Sequence, residues 1–271
     1  MELFLISRHH YKVKFETICI GGVEYTIQSL LDLQQFSDPH EEALRLGISS
    51  AMWSLFGQIW PMSKILARVM LQEPLEGRRI LEIGCGIGLP SIAIEQLGGD
   101  ITASDYHPLA QSFLLENCML NSLAPICFKT GNWNTVNPSL GKFDLIIGSD
   151  ILYEHQQIEL ISSFIDRHSS SQVDVIIVDP GRGAHRAFAR KMQRLGYIHS
   201  WTDLKDYPDR GIKPKGFILR FSRHIRSEKA ASGIHTQLEA KNSSCLDTQR
   251  LIQCITRDDR NSTFRYRSDR G

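Results

Sequence analysis

Long apolar runs are missing from this chain. No stretch approaches the roughly 18 uninterrupted apolar residues that a spanning helix requires. The opening apolar run, Leu3 to Ile6, is cut off by Arg8, His9 and His10, too soon for a signal-peptide core. No excess of one charge is present either: 31 Lys and Arg against 30 Asp and Glu leave a formal charge of +1, so nothing advertises a polyanionic partner such as a nucleic acid. The six cysteines, Cys19, Cys85, Cys118, Cys127, Cys245 and Cys254, form no CxxC pair or framework spacing. They read as reduced thiols, and no metal site is inferred. Internal repeats are also lacking. A cytoplasmic protein with no membrane, nucleic-acid or metal partner is expected.

What is present is a regular alternation. The 271 residues suffice for one α/β domain of ordinary size with decorated ends. Short apolar runs at Arg79 to Ile83, Asp100 to Ser104, Ile126 to Thr130, Phe143 to Ser149, Val173 to Asp179, Tyr197 to Asp203 and Gly216 to Arg223 read as strands. Segments of helical period, Leu89 to Leu97, Pro108 to Leu120, His155 to His168 and Ala184 to Leu195, fall between them. This is the pattern of βα units around a mostly parallel sheet. The nearly continuous apolar character of the fourth and fifth runs predicts central strands covered on both faces. A loop of roughly residues 205–215 is all that separates the last two, which predicts an antiparallel hairpin at an edge.

Upstream, residues 1–59 read as an N-terminal cap, with Tyr25 to Ser37 and Glu41 to Leu46 as its visible pieces, and Pro61 to Leu71 as a helix with proline in its first turn. Residues 60–223 form the expected catalytic domain. Residues 224–271 are polar with little periodicity, a tail expected to be disordered, although Leu238 to Ile255 has the pattern of a weak amphipathic helix.

Leu81-Glu82-Ile83-Gly84-Cys85-Gly86-Ile87-Gly88-Leu89-Pro90 sets alternating glycines between a strand and a helix. Glycines there let the backbone turn sharply and approach a ligand closely, while a helix N-terminus offers amide donors to an anionic group. A dinucleotide fingerprint spaces its glycines G-x-G-x-x-G; here the spacing is G-x-G-x-G, with Glu82 two residues ahead. This favours S-adenosylmethionine, whose carboxylate would be the anionic group. Asp105, after the second strand, is placed to accept hydrogen bonds from ribose hydroxyls, or simply to cap the next helix. After the third strand, Trp133 can cover an adenine face and Asn132 can reach its edge, with plain loop packing as the alternative. Ser149 joins this cofactor set at the end of the fourth strand, where ligands of open α/β sheets gather. Asp150 and Tyr153 follow it and serve either as catalytic residues or as a helix cap and a packing residue.

With these residues the chain resembles the class I, seven-β-strand methyltransferases, and more narrowly the small protein-lysine methyltransferases marked by Asp-x-x-Tyr after the fourth strand. That marker stands here as Asp150-Ile151-Leu152-Tyr153, joined by Trp60-Pro61 and the Leu81 to Pro90 motif; the resemblance covers roughly residues 46–223. It implies a Rossmann-like seven-stranded sheet with an antiparallel last strand and helices on both faces, S-adenosyl-L-methionine as cofactor, and methyl transfer to a nitrogen nucleophile, often a protein lysine. Asp150 and Tyr153 would be catalytic, Asp150 orienting the amine and Tyr153 walling its channel. Trp60 would pack by the cofactor or the channel. Asp179-Pro180-Gly181-Arg182-Gly183 departs from any lysine-specific marker; it reads as a shaper of the acceptor side, with Arg182 holding an acidic group, or as a turn into a helix. His107 and His155 read as helix caps rather than bases. A small-molecule N- or O-methyltransferase and a noncatalytic cofactor-binding or scaffold module stay open as alternatives, since fold alone does not choose.

Overall fold

The structure, a computed structural model, describes residues 11–153, 157–206 and 215–224. The expected tail beyond His224, the helix within it, His155 and most of the loop before the last strand lie outside them.

The chain opens on a feature the sequence reading did not resolve. Strands β1 (Val13–Ile20) and β2 (Val23–Leu30) form an antiparallel hairpin around Gly21 and Gly22, both at positive φ, as a two-residue hairpin turn demands. Short helices α1 (Glu42–Arg45) and α2 (Ser50–Trp53), a 3-10 turn over Ser54–Gly57, and α3 (Pro61–Met70) follow. The hairpin's Ile20, Ile27 and Leu30 share one core with Leu66, Met70, Ile94 and Phe113, so the cap and the α/β domain bury apolar surface together.

The main sheet comprises β3 (Arg79–Ile83), β4 (Asp100–Asp105), β5 (Cys127–Thr130), β6 (Phe143–Ser149), β7 (Ser169–Asp179), β8 (Ile198–Asp203) and β9 (Phe217–His224). Helices α4 (Leu89–Gln96), α5 (Ala110–Leu120), α6 (Ile158–His168) and α7 (His185–Arg194) link its strands. Strand order is β5-β4-β3-β6-β7-β9-β8. β3 through β7 run parallel, while β9 is antiparallel to both β7 and β8. The last strand is thus inserted between β7 and the edge strand β8. β6 is central and almost wholly buried, as its apolar run requires. β7 begins four residues earlier than Val173, because the polar Ser169 and Ser170 find partners: Ser169 Oγ donates to Ile165 O (2.7 Å) and Ser170 Oγ to Asp144 Oδ1 (2.8 Å).

Two asparagines one turn apart on α5 complete the hairpin. Asn117 Oδ1 accepts the Gln28 amide (2.7 Å) and its Nδ2 donates to the Gln28 carbonyl (3.2 Å). Asn121 repeats the pattern on Thr26, at 2.9 and 2.8 Å. Asn117 Nδ2 also donates to Ile87 O (3.2 Å) in the glycine turn.

Strand order reverses between β3 and β6, and an open α/β sheet has its ligand crevice at such a point, outside the carboxyl ends of the strands.

Candidate active site

A cavity of about 710 Å³ occupies that crevice. Trp60, Gly84, Gly86, Asp105, Asn132, Trp133, Ser149, Asp150 and Tyr153 all line it. Each arrives from a strand end or the start of a helix: the turn after β3, the end of β4, the loop after β5, the end of β6, and Trp60 from the N-cap of α3.

Glu82 and Gly88, expected at the cofactor, are not among the lining residues. Glu82 is buried, and its carboxylate accepts the Ser91 amide (2.9 Å) and the Ser91 hydroxyl on α4. Burial pushes its pKa up to about 8, against the pull of those hydrogen bonds. Gly88 caps α4 at φ 77°, and a Cβ there would fall 2.3 Å from Leu114 Cδ1. Pro90 has no amide hydrogen and the Ser91 amide is spent on Glu82, so these first-turn positions of α4 offer nothing to an anion.

Asp105 holds the turn. Its Oδ2 accepts the Gly86 amide and its Oδ1 the His107 amide, both at 2.8 Å, which leaves lone pairs for a ligand hydroxyl. Gly86 itself is fixed by φ 54° and by the Phe56 carbonyl oxygen, 2.7 Å from where a Cβ would stand. The 3-10 turn of the cap therefore roofs the glycine turn. Trp133 Cζ2 lies 3.5 Å from the corresponding position at Gly84, and Trp133 O accepts Arg167 Nη2 (3.1 Å). Asn132 Oδ1 accepts the Asn134 amide (2.9 Å), closing a side-chain turn. Trp60 Nε1 donates to Leu55 O (2.9 Å).

On the opposite side, Asp150 adopts φ 57°, a conformation non-glycine residues take at a cost and hold mainly at functional sites. Its amide donates to Val178 O (3.1 Å). The side chain is only 8% exposed, with Oδ1 3.6 Å from Arg182 Nη2 and Oδ2 buried without a hydrogen-bond partner among the described residues. Burial raises its pKa to about 6, opposed by Arg182 and by the Met62 amide at the start of α3. Tyr153 stands at the rim, 39% exposed.

Phe56 and His107 line the cavity too, stacked at 3.8 Å between ring centroids. His107 Nδ1 accepts the Leu109 amide (3.2 Å), as a cap does, and burial lowers its pKa to about 3, so the ring is neutral. Its place two residues beyond Asp105 was the available signal for its nearness to the cavity. Phe56 had none beyond an apolar run ahead of Trp60. Among the described residues, no group of three or more His, Cys, Asp or Glu is placed to hold a metal ion, and no helix is long and apolar enough to cross a membrane.

The residues present fit S-adenosylmethionine. A carboxylate with spare lone pairs, an indole beside a glycine and a backbone turn share one rim with a buried carboxylate on the other. The comparisons point the same way. The profile of a family described as lysine methyltransferase matches residues 40–194; the chain belongs to that family. It is 31% identical over 155 residues to the electron transfer flavoprotein beta subunit lysine methyltransferase of Mus musculus, covering 56% of this chain and 54% of that protein. It is 30% identical over 129 residues to the histone-arginine methyltransferase METTL23 of Xenopus laevis, covering 44% and 54%. The chain spans about half the length of the curated relatives it matches. In fold it is similar to a structure from Streptococcus mutans described as a SAM-dependent methyltransferase, with TM-score 0.51 and 12% identity over 77% of this chain and 55% of that one.

Proposed function

We propose that this protein is an S-adenosylmethionine-dependent methyltransferase whose acceptor is the side-chain nitrogen of a protein lysine. The observation that carries the reading is the one cavity joining Asp105, Trp133 and the glycine turn to a buried carboxylate, Asp150, whose Oδ2 lacks a donor among the described residues.

When bound, the cofactor supplies an electrophilic methyl group on a sulfonium sulfur. Displacement at that carbon is in-line, so the protein's task is alignment. Asp105 would hold the ribose hydroxyls, Trp133 would cover the adenine, and the Gly84 to Gly86 turn would bring its backbone to the aminoacyl end. Asp150 receives the acceptor nitrogen. A free lysine has a pKa of about 10.4, and presenting it neutral near pH 7 costs about 4 to 5 kcal/mol. With its pKa raised only to about 6, Asp150 is a weak base, so it orients the amine while the proton leaves to solvent. Tyr153 walls the channel on its water side.

The half-exposed Tyr153 and Arg182 at the rim suit an acceptor presented from another protein better than a sealed small-molecule pocket. Residues 60–223 carry the chemistry, and the 3-10 turn of the cap roofs it through Phe56. The cysteines Cys19, Cys85, Cys118 and Cys127 are unpaired, in keeping with a cytoplasmic location.

Calorimetry with S-adenosylmethionine tests the cofactor: the absence of both heat and a thermal shift at millimolar ligand would sink the reading. Labelled cofactor incubated with a cell lysate tests the acceptor. Methyl-lysine in a discrete protein band, lost with Asp150→Ala, is expected; methyl-arginine, or label confined to small molecules, would reassign it.

A further inference from the structure

Arg182 stands on the turn that leaves β7, between Gly181 at φ 82° and Gly183 at φ 104°; a Cβ on Gly183 would meet nothing within 4 Å. Its side chain is 49% exposed, against 8% for Asp150, and their 3.6 Å approach is longer than a hydrogen bond. Asp150 Oδ2 is left without a hydrogen-bond partner among the described residues. A second carboxylate, Asp179, is buried nearby and accepts the Gly181 amide at 2.7 Å. Arg182 acts electrostatically on both carboxylates, and His185 acts on Asp179. A buried acid that accepts the Met62 amide thus faces a loosely engaged cation on a glycine-flanked turn. Such geometry offsets the charge of Asp150 and leaves the hydrogen-bonding capacity of Oδ2 unmet among the described residues.

We propose that Arg182 is a resident substitute for the acceptor cation, neutralising Asp150 while the acceptor subsite is empty and exchanged for the substrate ammonium as it enters. The inference rests on the reading of Asp150 as the residue that receives the acceptor nitrogen. One positive charge replaces another, so no stage leaves a buried carboxylate unpaired, the arrangement that is costly. An ammonium carries three donors and reaches the oxygen that Arg182 does not. Arg182 is therefore a positioning residue that competes with the acceptor.

The test uses the full chain with 13C-labelled aspartate, the Asp150 carboxyl resonance assigned through Asp150→Asn, and n-butylammonium as the probe. In the native protein the probe should shift that resonance. Arg182→Gln should bind it about two- to fivefold more tightly, the range expected of a half-exposed ion pair, and should move the titration of Asp150 to higher pH. Arg182→Lys should restore both native values. Unchanged or weaker probe binding in Arg182→Gln, or an unmoved Asp150 titration, would overturn the proposal. If the titration moves but no variant binds the probe at Asp150, the exchange is refuted although the ion pair stands. Arg182→Met repeats the comparison if Arg182→Gln folds poorly by thermal shift. Cofactor calorimetry and lysate labelling are run on the native protein without the Arg182 variants, so failure of the methyltransferase reading registers there separately.

Discussion

Replacing Glu82 by glutamine should flatten the pH dependence of folding stability. Glu82 is 1% exposed, and burial raises its pKa from 4.5 to about 8. A carboxyl whose folded pKa lies above its unfolded value binds more protons folded than unfolded. Its contribution to stability is complete below pH 4.5 and is lost as pH rises through 8. A rise of about 3.5, at about 1.4 kcal/mol each, sets an upper bound of about 5 kcal/mol, and relaxation around the buried acid brings the expected loss to about 3 to 5 kcal/mol between pH 5 and 9. Glutamine keeps an oxygen for the Ser91 amide and hydroxyl and cannot ionise. Urea unfolding at pH 5, 7 and 9 should give near-equal stabilities for the two proteins at pH 5 and an advantage to Glu82→Gln at pH 9. Asp105, Asp150 and Asp179, also raised by burial, are present in both proteins and largely cancel in the difference. Parallel pH profiles would refute the reasoning. The same variant should bind S-adenosylmethionine within about threefold of the native affinity, since the Glu82 carboxylate is taken up by Ser91 and acts on Asp105 only through its charge; a larger loss would return it to direct contact.

Asp150→Asn should lower kcat about 100-fold or more with little change in cofactor affinity by calorimetry. In the native protein kcat/KM should fall as pH drops through about 6, where Asp150 takes up a proton; a flat profile from pH 5 to 8 would argue against its ionised role. Gly86→Ala must hold alanine at φ 54° with its Cβ 2.7 Å from the Phe56 carbonyl oxygen. At about 1 to 2 kcal/mol for the left-handed backbone plus the displaced roof, Tm should fall by about 5 to 15 °C. Trp133→Ala should weaken S-adenosylmethionine binding about tenfold, the worth of one aromatic face; an unchanged Kd would place Trp133 in the loop packing alone.

The alternation of apolar runs made the sheet legible because strands buried on both faces carry continuous hydrophobicity, as in Phe143 to Ser149. The hairpin at Val13 to Leu30 escaped notice although Gly21-Gly22 marks its turn. Its strands carry Lys14, Glu16, Glu24 and Gln28 among apolar residues, and the side chains that complete its edge, Asn117 and Asn121, lie far along the chain. Of the site, strand-end residues such as Asp105 and Asp150 were readable because topology fixes where strand ends go. Glu82 does not line the cavity, because sequence says that an acid precedes the glycines, not which way it faces. It faces Ser91, nine residues on. Phe56 reaches the cavity through tertiary packing of a segment that carries no spacing signal, whereas Arg182 was marked by the Pro-Gly turn after the fifth apolar run.

The pair Asn117 and Asn121 has a further consequence. Four residues of helix advance about 6 Å and two residues of strand about 6.8 Å, so two side-chain amides can match the backbone repeat at Thr26 and Gln28 as a third strand would. An open strand edge is a template for another chain, and here the template is filled from within. A slip of β2 by one residue would turn the matching backbone groups away from the helix, so α5 also sets the hairpin's register. Because Asn117 holds Ile87 as well, an error in that register would be felt at the glycine turn.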